Sequence, residues 1–134
     1  MRLRPARLAA ILALAPAPLC AQATPPPIRL VAPAEGALAS FALPQVPRAR
    51  VDVLAVSTAR HLSTALFRVS IGSKQLYERL EIDCGRRQWR WVGDGTSVAE
   101  ALRYRDDMGF GPAHTSDIKH PYVQYVCNEG VIPL

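Results

Sequence analysis

Residues 65–92 read ALFRVSIGSKQLYERLEIDCGRRQWRWV, and their periodicity carries most of the structural information in the chain. Phe67, Val69 and Ile71 alternate with Arg68 and Ser70, as in a strand with one face in a core and the other in water. Gly72-Ser73-Lys74-Gln75 supplies a turn, and then the alternation resumes. Leu80, Ile82 and Cys84 point one way; Arg79, Glu81 and Asp83 point the other. Gly85 ends that run, and Arg86 to Val92 forms a further strand with Trp89 and Trp91 sharing a face. Connections this short join antiparallel neighbours, so the stretch predicts a β-meander with one buried face.

Upstream, Arg50 to Ser57 carries the β-branched residues Val51, Val53 and Val56, suited to a buried strand, and the folded part begins near Arg48. Residues 24–47 contain Pro25, Pro26, Pro27, Pro33, Pro44 and Pro47. Proline at this density neither completes a sheet ladder nor continues a helix, so the segment reads as a Pro/Ala-rich, mostly extended tether. Leu38, Phe41 and Leu43 supply its apolar contacts to the domain. Downstream, Gly93-Asp94-Gly95 reads as a turn closing the tryptophan strand. Ser97 and Glu100 have capping-box spacing, which predicts one or two helical turns to about Tyr104. Gly109 to Pro112 is loop. Pro121 at a first helical position, with Val123, Val126 and Cys127 following at helical spacing, predicts a short C-terminal helix. Val123, Tyr125 and Cys127 also alternate, which leaves a strand open there. The expected fold class is α+β: an antiparallel meander of about four or more strands with one or two short helices, in a single small domain spanning 48–134.

The first 23 residues have the layout of a secretory signal peptide. Arg2, Arg4 and Arg7 form a positive head, Leu8 to Leu14 an apolar core, and Ala21-Gln22-Ala23 a small-x-small cleavage site. The apolar core is far shorter than the roughly 20 residues of a membrane-spanning helix, and Pro16 and Pro18 interrupt it, so no transmembrane segment is expected. Cys20 invites a lipoprotein reading, but Leu19 precedes it where a small residue is needed. Cleavage near Ala23 removes three arginines, so part of the net charge of +5 leaves with the leader. That removes the main support for nucleic-acid binding. It also leaves two cysteines, Cys84 and Cys127. An even count in a short exported chain predicts a disulfide, and closing a loop of some forty residues contributes about 4 kcal/mol in the chain-entropy model.

Asp83-Cys84 at a strand end, the basic Arg86-Arg87, the aromatic strand Trp89 to Trp91, and a second cysteine after a short C-terminal helix form a recognisable set. Over about Val51 to Cys127 the chain resembles the surface-adhesin protein E family, small exported domains of Gram-negative bacteria. His120-Pro121 stands where that family has a Pro-Gly-Ser lead-in to its last helix. The resemblance implies a meandering sheet packed against a helix, a strand-end Asp-Cys paired with the C-terminal cysteine, and placement in the periplasm or at the cell surface.

Three groups of residues are candidate sites. Arg86, Arg87, Trp89, Arg90 and Trp91 form an amphipathic series in which indoles stack and guanidiniums bind an anionic envelope polymer such as lipopolysaccharide. The same alternation also describes an ordinary strand with tryptophans in the core and arginines in water; on that reading Arg90→Ala costs little. His114, Asp117 and His120 form a His-x-x-Asp-x-x-His series of the residue types that hold zinc. On a helix they would fan over about 120°, and Pro121 opposes one continuous helix through them. No catalytic constellation is visible: Ser57, Ser63 and Ser70 lack a nucleophile-elbow context, and His61 lies in a loop. Asp106 and Asp107, being adjacent, face different directions, and Asp94 sits between glycines.

No cofactor is implied. The function expected from these features is that of an exported, non-enzymatic binding or envelope-associated module, whose partner is an envelope polymer or an extracellular protein. The alternative is an inhibitor of an exported enzyme such as lysozyme, since Tyr125-Val126-Cys127 resembles the Tyr-x-Cys strand that opens one inhibitor group. In those proteins the motif starts the domain; here it comes near the end of the sequence. A small periplasmic hydrolase is the further alternative.

Overall fold

A computed structural model describes residues 15–16, 26–115 and 117–134; Cys20 and the cleavage site near Ala23 lie outside the described residues. The elements are β1 (Ile28–Val31), β2 (Ala39–Ala42), β3 (Ala49–Ala59), β4 (Leu62–Ile71), β5 (Lys74–Asp83), β6 (Gln88–Gly95), α1 (Val98–Ala101), β7 (Gly111–Pro112), α2 (His120–Val126) and β8 (Val131–Ile132). They build one sheet in the order β7-β6-β5-β4-β3-β2-β1-β8. Every pairing is antiparallel except the last, in which β8 runs parallel to β1.

The expected alternation sets the register. Val53 faces Phe67, Val51 faces Val69 and Ala65 faces Leu80, all on one side of the sheet. Arg60 and Gly72, both with φ of 60°, turn the two central hairpins. α2 crosses that apolar side, carrying the chain from the β7 edge to β8. Its Tyr122 and Val123 join Phe41, Phe67, Leu80 and Ile82 in the core. Tyr122 packs edge-on against Phe67 at 4.8 Å and Phe41 at 5.9 Å, the offset geometry that aromatic quadrupoles favour. The C-terminal helix is present, with proline in its first turn, and it resolves the open choice between helix and strand. Cys84 and Cys127 are joined, Cα to Cα 5.5 Å, which ties the end of β5 to the end of α2. An internal disulfide fits an oxidising compartment. Among the described residues no helix is long and apolar enough to cross a membrane.

Three expectations of secondary structure need correction, the smallest being that Gly111–Pro112, within the stretch read as loop, is the short strand β7 on the edge of β6. The stretch read as a tether supplies β1 and β2, and Ile28, Phe41 and Leu43 are core residues. Its prolines explain why the strands still form: Pro33, Pro44 and Pro47 fall between or beyond them, so no ladder hydrogen bond is lost. Gly93-Asp94-Gly95 does not turn; it continues β6 opposite Tyr77 to Arg79. The glycines are there because α1 lies on them. A Cβ at Gly93 would stand 1.9 Å from the Ala101 carbonyl oxygen, and one at Gly95 2.3 Å from the Glu100 Cβ. The sheet is therefore more strand-rich than its sequence suggested, with eight strands among the described residues.

Candidate functional site

α1 brings the chain back over the side of the sheet opposite α2. Ser97 caps it by accepting from the Glu100 N–H, while the Glu100 carboxylate accepts from the Thr96 N–H at 2.7 Å, a shifted form of the expected capping box. Four residues later the helix ends and the chain runs along the outer edge of β6. Arg105 N–H donates to the Val92 carbonyl, Gly111 faces Trp89, and Ala113 N–H donates to the Arg87 carbonyl. Between these anchors the segment has more residues than the strand it follows, so it bows outward.

Arg90 holds the bowed segment. It is the cross-strand partner of Glu81, and its Nε and Nη2 both donate to Glu81 Oε2, at 3.0 and 2.8 Å. Nη1 donates to Asp106 Oδ1 at 2.5 Å and to the Met108 carbonyl at 3.3 Å, and Nη2 donates to the Tyr104 hydroxyl at 3.0 Å. The Phe110 ring lies over the guanidinium at 4.8 Å. One side chain thus fixes Tyr104, Asp106, Met108 and Phe110, alternate residues of the segment. Its bond to Glu81, with help from Asp106, raises an already high guanidinium pKa. The odd-numbered residues turn elsewhere: Arg105 pairs with Asp94 at 2.7 Å and Asp107 at 3.1 Å. Arg79 donates to the Leu102 carbonyl and lies over the Tyr104 ring at 5.8 Å.

The result is a loop held firmly yet apolar in water. Tyr104 is 53 % exposed and Leu102 52 %, while Met108 and Phe110 are each 38 % exposed. None of these four was a sequence candidate. The available signal was their even spacing, Leu102 to Phe110, but Gly109 and the Asp106-Asp107 pair mask it as loop composition.

The aromatic-basic series does not form a single surface. Trp89 and Trp91 share the core side, half-buried against the central cluster and edge-to-face with each other at 4.7 Å. The Trp89 indole N–H is the only buried side-chain polar atom among the described residues without a hydrogen-bond partner. Arg90 lies on the opposite side, and Arg86 is exposed in the turn, its backbone N–H on Asp83 Oδ1. Arg87 pairs with Glu129 and points its Nη2 at His120 Nε2, 3.4 Å away. The expectation that Arg90→Ala costs little does not survive. The Arg90 side chain is only 16 % exposed, and removing it would strand the nearly buried Glu81 carboxylate.

His114, Asp117 and His120 do not converge on one point. His114 is exposed, with its backbone N–H on Asp117 Oδ2, whereas His120 is buried. Burial and the Arg87 charge push the His120 imidazole below its ordinary pKa. No group of three potential metal ligands occurs among the described residues. Ser63 is buried and bonded to Thr58, and exposed His61 approaches Asp83 at 3.8 Å.

Lys119, 5 % exposed at the start of α2, is also perturbed. Its Nζ pairs with Glu78 and lies 4.3 Å from the Tyr122 ring centroid and 5.4 Å from that of Trp91. Burial pushes its pKa below the ordinary lysine value, although Glu78 opposes this. Burial, then the Glu78 charge and hydrogen bond, hold the Tyr122 hydroxyl well above its usual pKa. This ion pair, its lysine buried and its glutamate partly so, fixes α2 on the sheet. Comparison with known protein families, curated proteins and solved structures finds no match for this chain.

Proposed function

We propose that the chain is an exported, non-enzymatic binding module, similar in architecture to the adhesin E-like domain, that engages a partner protein through the 102–110 loop. One observation carries this reading: Tyr104, Met108 and Phe110 stay partly exposed while Arg90 holds the first two by hydrogen bonds and the third by its ring. Tyrosine, phenylalanine, methionine and arginine are the residue types that concentrate at protein interface cores. A loop already ordered loses little conformational entropy on docking. Apolar anchors of this kind favour a protein partner over an anionic envelope polymer. The leader-like residues 1–23 and the Cys84–Cys127 disulfide support placement outside the cytoplasm.

Site-specific photocrosslinking in the exporting cell tests the reading. A benzophenone amino acid replaces Tyr104 in one variant and Arg86 in another. We expect a discrete protein adduct from position 104 and none from 86. Adducts at 86 alone would move binding to the Arg86–Trp91 series, and the absence of any adduct at 104 would overturn the proposal.

A further inference from the structure

The two arginines that organise the loop are each outnumbered by carboxylates. Arg90 stands between Glu81 and Asp106, and Arg105 between Asp94 and Asp107. Each trio therefore carries one surplus negative charge; Arg79 beside Tyr104 offsets one of the two and Arg103 is matched by Glu100, so the loop region keeps a net charge of −1. The carboxylates on the outside are the exposed ones: Asp94, Asp106 and Asp107 are 57, 66 and 61 % exposed. The surplus sits directly beside the apolar anchors, because Asp106 shares the Arg90 guanidinium with Tyr104, Met108 and Phe110. It also runs against the sign of the chain, whose formal net charge of +5 stays positive after the three leader arginines are lost.

Next to the loop is a place for an apolar side chain. A depression of about 280 Å³ is lined by Ala55, Val56, Ser57, Leu66, Arg79 and Leu102, among others. Arg79 joins it to the loop through its contacts with Leu102 and Tyr104. An incoming arginine or lysine beside an apolar residue would neutralise a trio, lie against the exposed rings and fill the depression together.

We propose that the loop docks a cationic protein segment in which an arginine or lysine neighbours an apolar side chain. The proposal rests on the 102–110 loop being the binding surface and adds the chemistry of its partner. A random displayed-peptide library selected on the folded chain tests it, followed by synthesis of the recovered peptides. The expected result is enrichment of basic residues next to apolar ones. The peptides should bind at least about tenfold more weakly to Tyr104→Ala and to the double variant Asp94→Asn, Asp107→Asn. Binding should also weaken as salt rises, because the loop charges are exposed. Retention of circular dichroism and melting temperature by both variants separates lost contact from lost fold. Non-specific attraction to a positive chain predicts the reverse, an enrichment of acidic peptides. That outcome, an unbiased pool, or no enrichment overturns the cationic-partner proposal. A neutral or acidic protein crosslinked at position 104 would refute this inference and leave the loop reading standing.

Discussion

Asp52 shows at the residue scale how this sheet tolerates a charge on a covered surface. It lies on β3 with its side chain turned away from α2, and it is only 2 % exposed. Ser40 Oγ donates to it at 2.6 Å, Arg50 Nε at 2.8 Å and Arg68 Nε at 2.9 Å. Burial pushes the carboxyl pKa up, but these three donors and the Arg68 charge together outweigh it and leave the value below the ordinary 3.8. A carboxyl with a depressed native pKa stabilises the fold above its unfolded value, and that contribution fades as pH falls through the native value. Asp52→Asn should therefore be less stable than the parent by about 2–3 kcal/mol at pH 6, the scale of losing hydrogen bonds to a charged acceptor. The gap should narrow steadily below about pH 4. Urea melts of both proteins at pH 6 and pH 3 check this; a gap independent of pH would mean that the charge contributes nothing.

At the scale of elements, the position of the loop depends on how closely α1 approaches β6. Gly93 permits that approach, since the Ala101 carbonyl oxygen occupies the space of its missing Cβ. Gly93→Ala must push α1 outward, carrying Leu102 away from Arg79 and slackening the start of the loop. We expect a loss of about 1–3 kcal/mol, typical of forced overpacking, with faster amide exchange over residues 102–110. Gly72→Ala is the control. Its φ of 60° strains an alanine, costing about 1–2 kcal/mol, yet nothing lies within 4 Å of the new methyl. Its loop exchange should be unchanged. Equal exchange in the two variants would show that α1 does not position the loop.

For the whole molecule, the decisive constraint is that α2 must hold one side of the sheet while its chain travels from one edge to the other. The Cys84–Cys127 bond pins the far end of α2, and the part-buried Lys119–Glu78 pair pins the near end. Alkylation followed by intact mass should find both thiols blocked in the unreduced protein and two reactive thiols after reduction. Cys127→Ala should cost about 2–4 kcal/mol. Two free thiols in the exported product would refute the bond.

The sequence by itself determined what depends on local period and count. Alternation from Phe67 to Trp91 specified the meander and its buried side, because a strand's side chains have no other way to separate oil from water. Ser97 with Glu100, and Pro121, marked the two helices. The pair of cysteines predicted their own bond. Only the tertiary structure decided what depends on distant partners. β1 and β2 lie among prolines that conceal them, and they become strands because β3 offers a ladder and the core accepts Phe41. Gly93 and Gly95 resemble a turn until a helix is laid on them. The candidate site was the least legible part. Arg90 was marked in the sequence only as part of the aromatic-basic series, and Glu81, Tyr104 and Phe110 not at all; they become a site only when β5, β6 and the returning loop gather them around one guanidinium.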